Sequence, residues 1–237
     1  VTVHAVNDVR VTGHHAINYT SLQDAIDALP KNMSGNPITV KFENGTYDFG
    51  TTQIYIIDFT GGIFTIQGNT NNTGSGTYNV ILRGQNSSEK GIFSCKQCPN
   101  ITIKHIEFQA NGSDQSNYLV TVQKSDAYIY SCKFSRTATG SDNSRGIYIL
   151  DNSNARISHS YFSQLNYAVY AKQNSNVNVA TCEDYGTKPI FGVSAVQGAI
   201  VKPMSTEIHG STADYDTSFG GLITNKNGLI LGETILT

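Results

Sequence analysis

Residues 146–162 read GIYILDNSNARISHSYF, and the same line returns three more times nearby. Residues 92–108 read IFSCKQCPNITIKHIEF, residues 118–134 YLVTVQKSDAYIYSCKF, and residues 168–184 AVYAKQNSNVNVATCED. Each copy is a short strand, a polar turn ending in Asn or Asp, and a second short strand. The turn residues Asn100, Asp126, Asn154 and Asn176 align without gaps, at spacings of 26, 28 and 22 residues. A fixed core with variable loops at a period of about 20 to 30 residues marks a solenoid.

After each turn, Ile101/Ile103, Ala127/Ile129, Ala155/Ile157 and Val177/Val179 alternate with Thr102, Tyr128, Arg156 and Asn178. Period-two alternation predicts strands with one buried face. Ile106, Cys132, Ser160 and Cys182 form a further column. Phe108, Phe134 and Phe162 form another, which ends at Asp184. Before the turn, Phe93/Cys95, Leu119/Thr121, Ile147/Ile149 and Val169/Ala171 are expected to face inward. The outward column then runs Ser94, Val120, Tyr148, Tyr170. One unit cannot bury its apolar face alone, so equivalent units stack in parallel about 4.8 Å apart, like on like. The Asn column suits such stacking. Asn tolerates left-handed backbone geometry and bonds to its neighbours.

This line, with its Asn turns, resembles the right-handed, single-stranded parallel β-helix proteins of the pectate-lyase-like superfamily. It is especially similar to bacteriophage tail-spike and tail-fibre β-helices, over residues 80 to 200. The stretch TSLQDAIDALP (20–30) reads as an amphipathic helix with Leu22, Ala25, Ile26 and Leu29 on one face and Pro30 as its stop. With the following ITVKFENGTYDF it is similar to the N-terminal cap of tail-spike β-helices, though Glu43-Asn44 stands where prolines are usual. Such a helix shields an otherwise open first rung. The segment from Gly186-Thr187-Lys188-Pro189 to Gly220-Gly221-Leu222-Ile223 is similar to phage tail-fibre closures. The expected division is a cap at 1–50, rungs at 51–201 and a closing segment at 202–237. The ending GLILGETILT stops abruptly, which suggests a fragment of a longer fibre protein.

With net charge −2, 22 Gly and 5 Pro in 237 residues, the composition suits a turn-rich β protein. Nothing in it attracts nucleic acid. No apolar run reaches membrane-spanning length, so membrane insertion is not expected. Cys95 and Cys98 have CxxC spacing without a second pair, and Cys132 and Cys182 lie two rungs apart, about 10 Å by strand spacing. All four read as small buried residues, and no metal or cofactor is expected. Seven Asn-x-Ser/Thr sequons, starting at Asn18, Asn32, Asn44, Asn71, Asn86, Asn100 and Asn111, fit either a secreted eukaryotic glycoprotein or chance in an Asn/Ser/Thr-rich chain, and a glycan on Asn100 would be awkward in the turn ladder.

The flat outer faces of a β-helix suit a chain polymer. Tyr148 and Tyr170 on neighbouring rungs, with Tyr128, offer rings for sugars. Arg145, Asp151, Arg156 and Lys172 offer hydrogen bonds. The competing reading is ordinary strand tyrosines. Glycan hydrolysis needs two carboxylates flanking the bond. Asp114 and Asp142, in the similar loops NGSD and TGSD, and Glu107, in one outward column with Glu183, are the candidate acids. His105 and His159 share a column with Ser131 between them and read as structural. The resemblance implies a phage or prophage tail-fibre or tail-spike segment that recognises a bacterial surface polysaccharide, as a homotrimer on the virion tail. The alternatives are a polysaccharide depolymerase of the same fold, lyase or hydrolase, and a structural spacer or surface adhesin that is secreted or cell-bound.

Overall fold

The computed structural model describes residues 2–4, 8–10, 18–19, 21–84, 91–110, 118–137, 144–224 and 233–234. The chain winds as a parallel β-solenoid of three sheets, with almost no helix. Among the described residues, sheet 1 has eleven strands, sheet 2 six and sheet 3 eight. Each full coil gives one strand to each sheet. For example, Tyr118–Gln123 lies in sheet 3, Asp126–Tyr130 in sheet 1 and Lys133–Arg136 in sheet 2. The parallel ladders begin at Ile38–Phe42 and Gly45–Asp48 and continue through Ala213–Ser218 and Leu222–Ile223. Ahead of them, Thr2–His4 and Asp8–Arg10 extend sheet 1, pairing with each other antiparallel.

The register is that of the sequence columns wherever the columns follow the turn. Ile101, Ala127, Ala155 and Val177 pair in succession, as do Ile103, Ile129, Ile157 and Val179. In sheet 2, Phe108, Phe134 and Phe162 stack with ring centroids 5.2 Å apart and planes within 10°. All these residues are buried, and burying each large side chain contributes about 1.5–3 kcal/mol. The four cysteines are free and buried. Burial pushes the Cys132 and Cys182 thiols up to about 12 and Cys95 well above its ordinary value.

Before the turn, one column is displaced. Val120, not Thr121, pairs with Phe93 and Ile147, and Thr121 pairs with Ser94 and Tyr148. Thr121 therefore belongs to the outward column and Val120 to the core, the reverse of the expectation. The cause is turn length. Gln123, which pairs with Lys96 and Leu150, stands three residues before Asp126, whereas Lys96 and Leu150 stand four before Asn100 and Asn154. Aligning backwards from Asp126 across a shorter turn shifts the strand by one residue, which swaps its faces.

The left-handed positions also differ from expectation, since they precede the Asn column rather than coincide with it. The Asn column does bond along the ladder, as expected: Asn154 Nδ2 donates to Asp126 Oδ1 at 2.8 Å. A buried serine column turns the same corner. The backbone N–H of Cys98, Ser125 and Ser153 donates to the hydroxyl of Ser125, Ser153 and Ser175 on the next rung. This satisfies amides that the turn would otherwise orphan.

The helix Leu22–Asp27 has Ser21 as its N-cap and buries Leu22, Ala25 and Ile26. Gln23 spans to Tyr55 in the edge strand of sheet 3. Its Nε2 donates to the Tyr55 carbonyl at 3.1 Å, and its Oε1 accepts from the Tyr55 N–H at 2.7 Å. These bonds occupy backbone groups that an edge strand leaves open.

Candidate functional site

A cleft of about 530 Å³ lies on the outer face of sheet 3. Its walls come from one rung after another: Thr121 and Gln123, Tyr148 and Asp151, Tyr170 and Lys172. The volume is that of an ordinary ligand site. Five residues singled out in the sequence line it together: Arg145, Tyr148, Asp151, Tyr170 and Lys172.

Arg145 is central, and a break in strand alternation puts it there. By period two, Arg145 would share the inward face of Ile147 and Ile149. However, Gly146 and Ile147 are both buried, as are Leu119/Val120 and Ala168/Val169 on neighbouring rungs. Two consecutive inward residues reset the phase. Gly146 is required by close approach, because a Cβ there would lie 2.7 Å from the Ala168 carbonyl oxygen. Tyr118, Arg145 and Tyr167, which pair in one row, are thereby set against the outward row of Tyr148 and Tyr170.

The Arg145 guanidinium lies over four rings, with Cζ 4.4 Å from the Tyr170 centroid, 4.8 Å from Tyr118, and 5.4 Å from Tyr148 and Tyr167. Each contact of this kind contributes about 0.5–2 kcal/mol. Tyr118 and Tyr148 also touch at 4.4 Å, and Tyr167 stacks on Phe191 at 4.9 Å. Burial, and then Asp216, raise the Tyr167 phenol above its ordinary value. Lys172 Nζ lies 5.5 Å from the Tyr148 centroid, and Asp151 Oδ2 accepts from Gln123 Nε2 at 2.6 Å.

Two details set what the cleft offers. Tyr148 is only 7% exposed, so its ring is a wall packed under Tyr118, Arg145 and Lys172. Tyr167 and Tyr170 are partly exposed. Second, Gln173 lines the cleft with its Oε1 buried and, among the described residues, without a hydrogen-bond donor. An orphaned buried acceptor costs about 1–3 kcal/mol and is suited to a hydroxyl donor.

The other candidates lie elsewhere. Tyr128 and Arg156 belong to sheet 1, around a corner from the cleft. Arg156 Cζ stands 5.3 Å from the Tyr128 ring, and the Tyr128 hydroxyl bonds Ser158 Oγ at 3.2 Å. The seven residues grouped in the sequence thus occupy two faces. Glu107 is on sheet 2, in the expected column with Lys133, Tyr161 and Glu183. It is 5% exposed, accepts from Gln109 Nε2 at 2.8 Å and Ser135 Oγ at 3.1 Å, and pairs with Lys133 at 3.8 Å. Lys133 Nζ also donates to the Gly76 carbonyl at 3.4 Å and lies 4.4 Å from the Tyr185 ring centroid, and Tyr78 is buried in the same connection as Gly76. Asp114 and Asp142 lie outside the described residues.

His105 is a corner residue, left-handed at φ 59, whose Nδ1 meets the Asn72 carbonyl at 3.1 Å. Ser131 and His159 repeat that left-handed corner, so the column is structural. Among the described residues, no group of three or more His, Cys, Asp or Glu is placed to hold a metal ion. No helix among them is long and apolar enough to cross a membrane.

Sequence reasoning missed Tyr118, Tyr167 and Gln173. A signal for the first two was available. Tyr118 is the first residue of its copy, while Arg145 and Tyr167 each stand just before theirs, but the phase reset at the bend concealed their direction.

No protein-family model matches the chain, and no curated protein matches it. Solved structures similar to it include the following two. One is ORF18 of Geobacillus virus E2, at 11% identity and a TM-score of 0.46, covering 95% of this chain and 61% of that one. The other is the A-module of the mannuronan C-5 epimerase AlgE4 of Azotobacter vinelandii, at 12% identity and a TM-score of 0.26, covering 93% and 79% respectively. The chain spans 61% of the length of the viral protein.

Proposed function

We propose that the chain is a β-helix segment of a phage or prophage tail fibre or tail spike, and that its sheet 3 cleft recognises a bacterial surface polysaccharide. The observation that carries the binding is the cleft itself. Partly exposed Tyr170, the cations Arg145 and Lys172, Asp151 and the orphaned Gln173 acceptor converge on one open face. Aromatic rings with polar tips suit the apolar face of a sugar, and the surrounding groups suit its hydroxyls. The attribution to a tail fibre rests on the resemblance of the repeat line and of both flanking segments.

In this reading the coil is right-handed, the helix at Leu22–Asp27 shields its first rung, and the chain divides at 1–50, 51–201 and 202–237. It works as a homotrimer on the virion tail. Binding rather than cleavage is favoured, because Asp151 is the one carboxylate that lines the cleft among the described residues, whereas glycoside hydrolysis commonly uses two.

The test is adsorption of the purified protein to a panel of bacterial capsular and wall polysaccharides, with product analysis. The proposal expects retention on at least one of them without shortening of the chains. Retention equal in the Tyr170→Ala/Lys172→Ala protein would refute the cleft. Light scattering that gives a monomer rather than three times 25.7 kDa would refute the trimer.

A further inference from the structure

A second groove, of about 370 Å³, lies on sheet 1. One rim is the turn column Asn100, Asp126, Asn154 and Asn176. The other is the column two residues on, Thr102, Tyr128, Arg156 and Asn178. Between the rims the floor is the backbone at Ile101, Ala127 and Ala155, whose side chains are buried in the core, and Ile63, 51% exposed, stands with Pro99 at one end. Three rung steps separate Asn100 from Asn176, roughly 14 Å at the ordinary strand spacing. A short chain of sugars, rather than a single one, fits that length.

The groove has the polarity pattern of a pyranose. Exposed Ile63 and Pro99 at one end suit the C–H face of a ring, and the two polar rims suit the hydroxyls of a chain that runs on between them. The rims are held ready. Asn154 Nδ2 is tied to Asp126 Oδ1, and the backbone N–H groups of Asp126, Asn154 and Asn176 each donate to a carbonyl on the preceding rung. Binding to such side chains costs little ordering entropy. Tyr128 does not act as the platform. Its ring lies between Tyr130, stacked at 4.8 Å, and the Arg156 guanidinium, so it serves to support Arg156.

We infer that this groove is a second carbohydrate subsite, independent of the cleft on sheet 3, and that it takes a neutral oligosaccharide. The choice of a neutral ligand follows from the lining, where Asp126 and Arg156 offset each other and the other polar groups are amides and hydroxyls. The inference does not depend on the cleft binding anything, because the groups lie on different sheets.

The test uses the whole protein, labelled with ¹⁵N, and reads the side-chain NH₂ signals of Asn154, Asn176 and Asn178. Cellohexaose, xylohexaose, mannohexaose and chitohexaose are the probes. Saturable shifts with at least one probe are expected. Arg156→Ala/Asn178→Ala, two exposed substitutions, should weaken that binding at least about tenfold, while Lys172→Ala leaves it unchanged. The inference is overturned if no probe moves these signals, or if Lys172→Ala abolishes the shifts. It is also overturned if the signals move with protein dilution alone, which would make the groove a contact between copies.

Discussion

Sheets 2 and 3 carry much the same chemistry on their outer faces and put it to opposite use. Sheet 2 sets Glu107 beside Lys133, with Tyr185 4.4 Å from the lysine and Tyr78 closed over the row. Sheet 3 sets Asp151 near Lys172 and Arg145, with tyrosines around them. The difference is the cover. On sheet 2, the connection before Val80–Gly84 crosses the face. Its Tyr78, 1% exposed, donates to the Ser131 carbonyl at 3.2 Å. On sheet 3, the described residues leave the row open as a cleft. The same residue types thus hold the coil together under a loop on sheet 2 and, among the described residues, line an open cleft on sheet 3.

The largest expected effect is on the covered face. Glu107→Ala leaves Gln109 and Ser135 without their acceptor and Lys133 without its ion-pair partner, and should cost about 3 kcal/mol in urea unfolding. Asp151→Ala, its counterpart in the cleft, should cost no more than about 1 kcal/mol. Equal losses would erase the distinction between the faces.

Next comes affinity. Tyr170→Ala/Lys172→Ala should weaken binding of any retained polysaccharide by about 2 kcal/mol, roughly thirtyfold. The unfolding midpoint should move little. A large drop in stability instead would make the tyrosine and arginine cluster a structural device.

Tyr78→Phe removes only the hydroxyl that bonds the Ser131 carbonyl and should cost about 1 kcal/mol. No loss would mean that the loop is held by packing alone.

A further effect is alkaline and grows with pH. Burial holds the Cys132 and Cys182 thiols at about 12, and burial with Glu43 raises Tyr47 to about 12. Burial also raises Tyr78 and Tyr185, on the covered face. In each case the folded state favours the protonated form. The contribution to stability is complete below the unfolded values, 9 for Cys and 10 for Tyr. It is lost as pH rises from there through about 12, because the unfolded chain releases its protons first. A series of urea midpoints from pH 8 upward checks this. A flat series would contradict it.

The coil was legible because stacking makes like residues lie on like. Four copies in phase fixed the columns after the turn down to single residues, including Phe108, Phe134 and Phe162. The strand before the turn was less legible. A turn shorter by one residue at Lys124 exchanged Val120 and Thr121, and only geometry counts such residues. The site was half legible. Tyr170, Arg145, Asp151 and Lys172 meet in the cleft as grouped, but Tyr128 and Arg156 belong to another sheet. A linear alignment does not show where the coil turns its corners. Tyr118 and Tyr167 escaped notice because two successive inward residues broke the alternation. Glu107 looked available because its column faces outward, and the covering loop lies about 30 residues away in sequence.

The central claim is that the open face of sheet 3, and not the covered face of sheet 2, meets the glycan. Hydroxyl-radical footprinting with and without a retained polysaccharide reads both faces in one experiment. The account predicts protection of Tyr170 and no change at Tyr161 on sheet 2. Unchanged labelling at Tyr170 while polysaccharide is bound would contradict it.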